Sequence, residues 1–138
     1  MSVKLPPGYR PSDKEPFMNG LMREYFRQKL LRWRDEILQE QNGMLAQLQA
    51  ESLAAPDAAD RAAAETDRSI ELRAREREFK LLAKIDAALR RVENGTYGYC
   101  EETDEPIGIA RLEARPIATL SIEAQERHER SERTHSED

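Results

Sequence analysis

The stretch Leu53-Ala-Ala-Pro-Asp-Ala-Ala-Asp-Arg-Ala62 separates two long helical patterns and decides the fold. Pro56 biases the residue before it away from the α-helical region, so a first helix is expected to end near residue 54. Asp57 is a preferred N-cap residue, and Asp60 would place negative charge in the first turn of a second helix. The stretch therefore predicts a tight turn between two helices, with its tip at residues 55–61.

Apolar residues recur at helical spacing on both sides of this turn. The first stripe comprises Met22, Phe26, Leu30, Trp33, Ile37, Met44 and Leu48, with Gln41 filling a gap in the series. The second stripe comprises Ile70, Ala74, Leu81, Ile85, Ala88 and Val92. Spacings of three and four place each stripe on one helix face. We predict an antiparallel coiled-coil hairpin with helices over 20–54 and 60–94, about 50 Å long at 1.5 Å per residue.

The composition of the 138-residue chain is consistent with long exposed helices. Charged residues make up 36% and aromatic residues only 6%, which is lean for a compact core. The net charge of −5 gives no reason to expect non-specific nucleic-acid binding. A single cysteine suits a reducing compartment, and no segment looks like a signal peptide or a membrane span. We expect a cytoplasmic, monomeric protein with no membrane contact and no sequence-specific DNA binding.

The remaining segments divide around the hairpin, and the predicted fold class is mainly α. Residues 1–18 carry four prolines and should form an extended arm that docks on a small globular domain. The hairpin covers residues 19–94, and Gly95 is a typical helix stop. Residues 95–116 should form a knuckle with short strands at 97–100 and 106–109. A C-terminal helix is expected over 117–132, followed by a disordered tail over 133–138.

The knuckle has the layout of a four-cysteine zinc ribbon that contains a single cysteine. Cys100 and Thr103 have the spacing of one close ligand pair, and Ser121 and Ala124 have the spacing of the other. Three of these four positions cannot bind zinc, so no metal is expected. The acidic residues at 101–102 are expected to raise the pKa of Cys100. We therefore interpret Cys100 as a small packed residue rather than a reactive thiol.

Two groups of charged residues have both a structural and a functional interpretation. The tip carboxylates serve as helix caps, or they deliver negative charge into a cavity of a partner. The basic residues of the second helix form a solvated face with i,i+4 pairs, or they converge with the knuckle to make a phosphate pocket; they are Arg73, Arg75, Arg77, Lys80 and Lys84, with Arg111 and Arg115 in the knuckle. His128 and His135 are expected to be solvated. No catalytic motif is present, so an enzyme is not predicted.

Several motifs resemble the TraR/DksA family of bacterial factors that enter the secondary channel of RNA polymerase. They are the tip Pro56-Asp-Ala-Ala-Asp-Arg-Ala62, the stretch Asp67-Arg-Ser-Ile-Glu-Leu-Arg-Ala-Arg-Glu-Arg77 and the segment Ile107-Gly-Ile-Ala-Arg-Leu-Glu-Ala-Arg-Pro116. Tyr9-Arg-Pro11 and Phe17-Met-Asn19 extend the resemblance over most of the chain. The resemblance implies a hairpin that enters the channel and acts near the active-site region without cutting or joining RNA.

The resemblance also implies which residues act. The implied tip positions are Asp57, Asp60 and Ala62, and the implied polymerase contact is Arg77. The positions that match the family's site for guanosine tetraphosphate (ppGpp) are Lys80, Leu81, Lys84 and Arg115. Gln125 stands where the family has a further basic residue, so the nucleotide site is expected to be weaker. The implied function is modulation of initiation at ribosomal RNA and amino-acid promoters during the stringent response.

The zinc ligands of the family match only at Cys100, which indicates a cysteine-poor subgroup that folds without the metal. Packing of knuckle residues is expected to replace it; these residues are Tyr97, Tyr99, Ile107, Leu112, Ile117, Leu120 and Ile122. Two alternative functions stay open. One is a Gre-like factor that stimulates transcript cleavage, and the other is a structural coiled-coil adaptor.

Overall fold

The computed structural model describes residues 3–54 and 58–137, and this part of the chain contains four helices. They are α1 (Gly20–Ala54), α2 (Ala58–Asn94), α3 (Ile109–Ala114) and α4 (Ile122–Glu137). The mainly α fold with a long helical hairpin is confirmed. Among the described residues, β pairing is limited to one antiparallel bridge between Tyr99 and Pro106. The strands predicted at 97–100 and 106–109 therefore do not form, and α3 was not predicted.

The chain divides into two compact units. The first contains the residues up to Leu30 and those from Ala87 onward, and the second is Leu31–Asp86. Each of the long helices contributes to both units. None of the described helices is long and apolar enough to span a membrane.

The core of the first unit joins the base of the hairpin to the knuckle. Met22, Phe26 and Leu30 of α1 are completely buried, as predicted from their stripe. The Phe26 ring lies 5.6 Å from the ring of Tyr97. The buried hydroxyl of Tyr97 donates a hydrogen bond of 2.8 Å to the carbonyl oxygen of Pro116, so its polar group is satisfied inside the core.

The burial of the knuckle residues agrees only in part with the packing predicted to replace zinc. Tyr97, Ile107 and Leu112 are buried, while Tyr99, Ile117 and Leu120 are half-buried. The prediction is wrong for Ile122, which is 51% exposed. Ile122 is the first residue of α4, and that helix turns Ala124 inward instead.

The N-terminal arm packs against the first unit through its aromatic residues. The Tyr9 hydroxyl donates a 2.7 Å hydrogen bond to Glu15. The Phe17 ring meets the Tyr99 ring edge to face, with centroids 5.4 Å apart. Asn19 then caps α1, because its side-chain oxygen accepts a 2.9 Å hydrogen bond from the backbone N–H of Met22.

Helix α4 differs from the prediction at both ends. It begins at Ile122 rather than at 117, because the Ser121 hydroxyl caps it by accepting a hydrogen bond from the backbone N–H of Ala124. It continues to Glu137, through residues that were expected to be disordered. Glu and Arg, which dominate its sequence, are good helix formers and are at no disadvantage on an exposed helix.

In the second unit, α1 and α2 pack along a seam. The residues of this seam were predicted correctly for α1 and only in part for α2. Ile37 and Gln41 of α1 are buried, as are Leu82 and Ile85 of α2. Ile70 was predicted to lie in the seam, but it is 58% exposed. The seam passes through Glu71 instead, which is half-buried. A shift of one residue turns a side chain by about 100° around the helix, so Ile70 faces solvent.

The middle of this seam is polar. Gln41 Nε2, Arg75 Nε and Glu78 Oε2 are buried and have no hydrogen-bond partner in the described part of the chain. The positions 71, 75, 78, 82 and 85 follow the alternating four-three spacing of a coiled-coil seam. Charged residues therefore occupy seam positions. This explains why a prediction based on apolar residues assigned Ile70 to the seam.

Candidate functional site

The predicted tip lies at the edge of the described chain. Asp57 is outside the described residues. The backbone of Asp60 lies in the first turn of α2, and no side-chain geometry is described for it. Ala62 is exposed on the second turn. The roles of Asp57, Asp60 and Ala62 consequently stay predictions.

Four residues predicted to bind polymerase or ppGpp share one face of α2. Arg77, Lys80 and Lys84 are exposed, and Leu81 between them is half-buried. At 100° per residue, the four span an arc of about 100°. None of the three cationic groups forms a hydrogen bond or ion pair with another described residue. This cationic face is therefore available to bind an anion or an acidic surface.

Arg115 and Gln125 belong to the first unit. Arg115 follows α3, and its backbone N–H donates a 2.7 Å hydrogen bond to the carbonyl oxygen of Arg111. Its side chain is exposed. The Arg111 guanidinium donates to the carbonyl oxygen of Leu120 at 2.9 Å, so it stabilises the turn after α3. The side-chain amide of Gln125 donates to Glu129 on the next turn of α4.

The knuckle is built around Cys100, which is only 1% exposed. Its backbone N–H donates a 2.8 Å hydrogen bond to the Glu105 carbonyl oxygen, and its own carbonyl oxygen accepts a 2.9 Å bond from the Asp104 N–H. These two bonds close a tight loop over residues 100–105. Asp104 adopts the left-handed conformation with φ +61° at the bend, which Asp tolerates better than most residues.

The hydrogen bonds around the sulfur set the acidity of Cys100. Burial raises the pKa of the thiol, but hydrogen bonds from the Thr103 hydroxyl and from the backbone N–H groups of Ser121, Thr103 and Glu102 lower it, and the pKa falls to about 6. The prediction that the pKa of Cys100 is raised was wrong. The Glu102 carboxylate, which the prediction expected to raise the pKa of the thiol, pairs instead with Arg127 and His128 of α4.

The four positions of the zinc layout do come together, but they do not suit zinc. The Thr103 hydroxyl donates to the Cys100 sulfur, and the Ser121 hydroxyl caps α4 at 3.2 Å from the Ala124 nitrogen. Ala124 is fully buried and offers no ligand atom. Within residues 3–54 and 58–137, no three His, Cys, Asp or Glu residues cluster closely enough for a metal ion. A structural zinc site needs four such ligands.

The link between Glu102 and α4 was missed by the sequence prediction. His128 was expected to be solvated, but its imidazole Nε2 forms a hydrogen bond with the Glu102 carboxylate. Arg127 lies 3.8 Å from the same carboxylate. The partners are 26 residues apart, so local spacing gave no signal for this contact. The side chain of His135 lies outside the described part.

Comparisons with known proteins agree with this architecture. Residues 22–92 match the family model described as the N-terminal domain of the DnaK suppressor protein DksA. Residues 95–130 match the prokaryotic dksA/traR C4-type zinc finger, although the chain retains a single cysteine.

Similar proteins cover most of the chain. The RNA polymerase-binding transcription factor DksA of Caulobacter vibrioides (strain NA1000 / CB15N) is 64% identical over 94% of this chain and 92% of its own length. The protein of the same name from Escherichia coli (strain K12) is 43% identical over 83% of this chain and 76% of its own length. The solved structure of transcription factor DksA2 from Pseudomonas aeruginosa has a TM-score of 0.79 and 47% identity, and covers 85% of this chain and 90% of that one.

Proposed function

Because the chain belongs to the TraR/DksA family, we propose that it binds RNA polymerase and regulates transcription in the cytoplasm. The observation that carries this proposal is the 64% identity, across 94% of the chain, to a protein named as an RNA polymerase-binding transcription factor. The exposed cations on α2 support it: they form no ion pair with another described residue, and a cationic face can steer association with an acidic surface of a partner.

In the proposed mechanism, the hairpin enters the secondary channel with its turn foremost. Asp57 and Asp60 act there through negative charge, and Ala62 provides a small surface beside them. Arg77 contacts the polymerase along the shaft. No covalent chemistry is assigned to any of these residues, and the protein is not an enzyme in this scheme.

The effector in the proposal is ppGpp. Lys80, Lys84 and Arg115 would pair with its phosphates, and Leu81 would provide apolar contact beside them. Charge-assisted hydrogen bonds from such groups hold phosphate oxygens strongly. Gln125 carries no charge and donates to Glu129, so the affinity for ppGpp is expected to be lower than with a basic residue there.

The decisive test is multi-round transcription from a ribosomal RNA promoter with the cognate polymerase, with and without ppGpp. We expect inhibition that increases with ppGpp, and we expect Lys84→Ala to lose the ppGpp response while keeping the basal inhibition. Asp60→Asn should bind polymerase but fail to regulate, with a stability loss of about 1 kcal/mol or less because Asn caps nearly as well as Asp. Strong cleavage of backtracked transcripts would instead indicate a Gre-like factor, and failure to bind polymerase would leave an adaptor.

A further inference from the structure

The seam of the second unit changes character at a layer of polar residues. Gln41, Arg75 and Glu78, which we call the polar layer, hold buried polar atoms that have no hydrogen-bond partner in the described part of the chain. The ion pair between Arg34 Nε and Asp86 Oδ1, which are 2.8 Å apart, shows which residues of the two antiparallel helices lie level. A step of seven residues from this pair along each helix reaches Gln41 on α1 and the residue next to Glu78 on α2. The three residues therefore form one layer across the seam.

The burial of side chains in the seam ends at the polar layer. On the basal side of the layer, Ile37, Leu82 and Ile85 are buried. On the other side, no side chain that the structure describes within residues 42–78 is buried as a whole. We call residues 42–78 the distal half of the hairpin. Local opening costs least where few apolar side chains are buried, so the distal half is held closed less firmly than the base.

The backbone of α1 is also weakened just beyond the polar layer. Asn42 and Gly43 are both exposed in the interior of this helix. A β-carbon added at Gly43 would have nothing within 4 Å, and the φ of Gly43 is not positive. Neither a close contact nor a left-handed backbone therefore requires glycine here. Because Asn and Gly both disfavour a helix interior relative to Ala, α1 is easily interrupted at this point.

We propose that the distal half opens and recloses as a separate cooperative unit while the base of the hairpin stays folded. The unpartnered groups of the polar layer gain hydration when the seam opens. The apolar side chains on the basal side would lose burial, so the opening stops at the layer.

The opening is a property of the free chain, and its consequence for binding rests on the proposed function. Only the closed form holds α1 and α2 together on either side of the tip, so only this form presents a fixed tip to the channel. The opening therefore lowers the apparent affinity for polymerase in proportion to the fraction of chains that are closed.

Hydrogen exchange of the full chain, followed by mass spectrometry at several urea concentrations, tests the opening. Relative to their intrinsic rates, amides of the distal half should exchange at least about tenfold faster than amides of residues 82–92. Their exchange should also depend less steeply on urea, because a local opening exposes less surface than global unfolding. Equal protection and equal urea dependence in the two segments would show a single cooperative unit and would overturn the inference.

Two substitutions should hold the distal half closed. In the variant Gln41→Leu/Gly43→Ala, exchange of the distal half should slow by about tenfold or more, of which helix propensity at Gly43 supplies about fivefold and removal of the unpartnered amide supplies the rest. Gly20→Ala is the matched control, because a β-carbon there meets Val3 at an ordinary 3.8 Å and Gly20 belongs to the first unit. The control should leave exchange of the distal half unchanged. Unchanged exchange in the double variant, or the same slowing in the control, would overturn the inference.

Binding to cognate core polymerase separates this inference from the proposed function. The double variant should bind more tightly than the wild type by the ratio of their closed fractions, which the exchange rates give. An affinity that departs from this ratio would overturn the link between opening and binding. A wild-type chain that does not bind polymerase would overturn the proposed function, while the exchange of the free chain would still decide whether the distal half opens.

Discussion

Replacing Gly98 with alanine tests how the N-terminal arm is held on the first unit. Gly98 has φ +92°, and a β-carbon added there would lie 3.1 Å from Met18 Cε and 3.3 Å from Phe17 Cζ. The left-handed backbone costs an alanine about 1–2 kcal/mol. Crowding against the arm adds about 1–3 kcal/mol. We expect Gly98→Ala to lower the free energy of unfolding by about 2–5 kcal/mol in total.

Gly95 provides the control for the backbone contribution. Its φ is +83°, and nothing lies within 4 Å of an added β-carbon, so Gly95→Ala should cost only the backbone share of about 1–2 kcal/mol. Both variants are compared by urea unfolding followed by far-ultraviolet circular dichroism. In a double-mutant cycle, Gly98→Ala should cost less stability in the Met18→Ala background than in the wild type, because the shorter side chain removes the crowding. Equal losses at Gly98 and Gly95, without coupling, would refute the packing of the arm at this position.

Three other predictions concern the seam, the acid stability and the metal. Gln41→Leu should raise the free energy of unfolding by about 0.5–2 kcal/mol in urea, because it removes a buried amide nitrogen without a partner; a loss of stability would show that the amide is satisfied. Burial raises the pKa of Glu113, but Lys29, whose Nζ lies 2.6 Å from Glu113 Oε2, holds this pKa below its ordinary value through its hydrogen bond and its charge. The Lys29–Glu113 pair therefore stabilises the fold at neutral pH, and this stability is lost as the pH falls through the lowered pKa. In acid titrations of unfolding, the wild type should therefore lose more stability than Glu113→Gln between neutral pH and about pH 3, and parallel curves would contradict this. Elemental analysis should find less than about 0.1 zinc per chain and no effect of a chelator on melting, whereas about one zinc per chain would show that other ligands are recruited.

The hairpin was predictable because the apolar residues of α1 recur at a regular spacing and because Pro56 marks the end of this pattern in the sequence. Met22, Phe26 and Leu30 are buried where the spacing placed them. The pattern of α2 misled the prediction at Ile70, because charged residues occupy its seam in the distal half. A pattern of apolar residues cannot reveal a seam built from Arg and Glu.

The knuckle was less predictable, because its contacts join residues that are far apart in the chain. The close-pair spacing correctly brought Cys100, Thr103, Ser121 and Ala124 together. The shift of the thiol pKa was predicted with the wrong sign, since hydrogen bonds to the sulfur lower this pKa and the Glu102 carboxylate pairs with α4. The backbone N–H groups that lower the pKa of Cys100 have no signature in the residue types.

In the predicted zinc-free knuckle, hydrogen bonds would take over the role of the metal for which the matching family model is named. Hydrogen bonds from Thr103 and from the backbone N–H of Ser121 converge on the Cys100 sulfur, so they hold together the two loops that zinc would otherwise join. Each such bond contributes about 1 kcal/mol net, whereas structural zinc contributes roughly 10 kcal/mol or more. The cluster therefore fixes the geometry, and most of the stability must come from the apolar core beneath it, where Tyr97 and Leu112 are buried against the base of the hairpin.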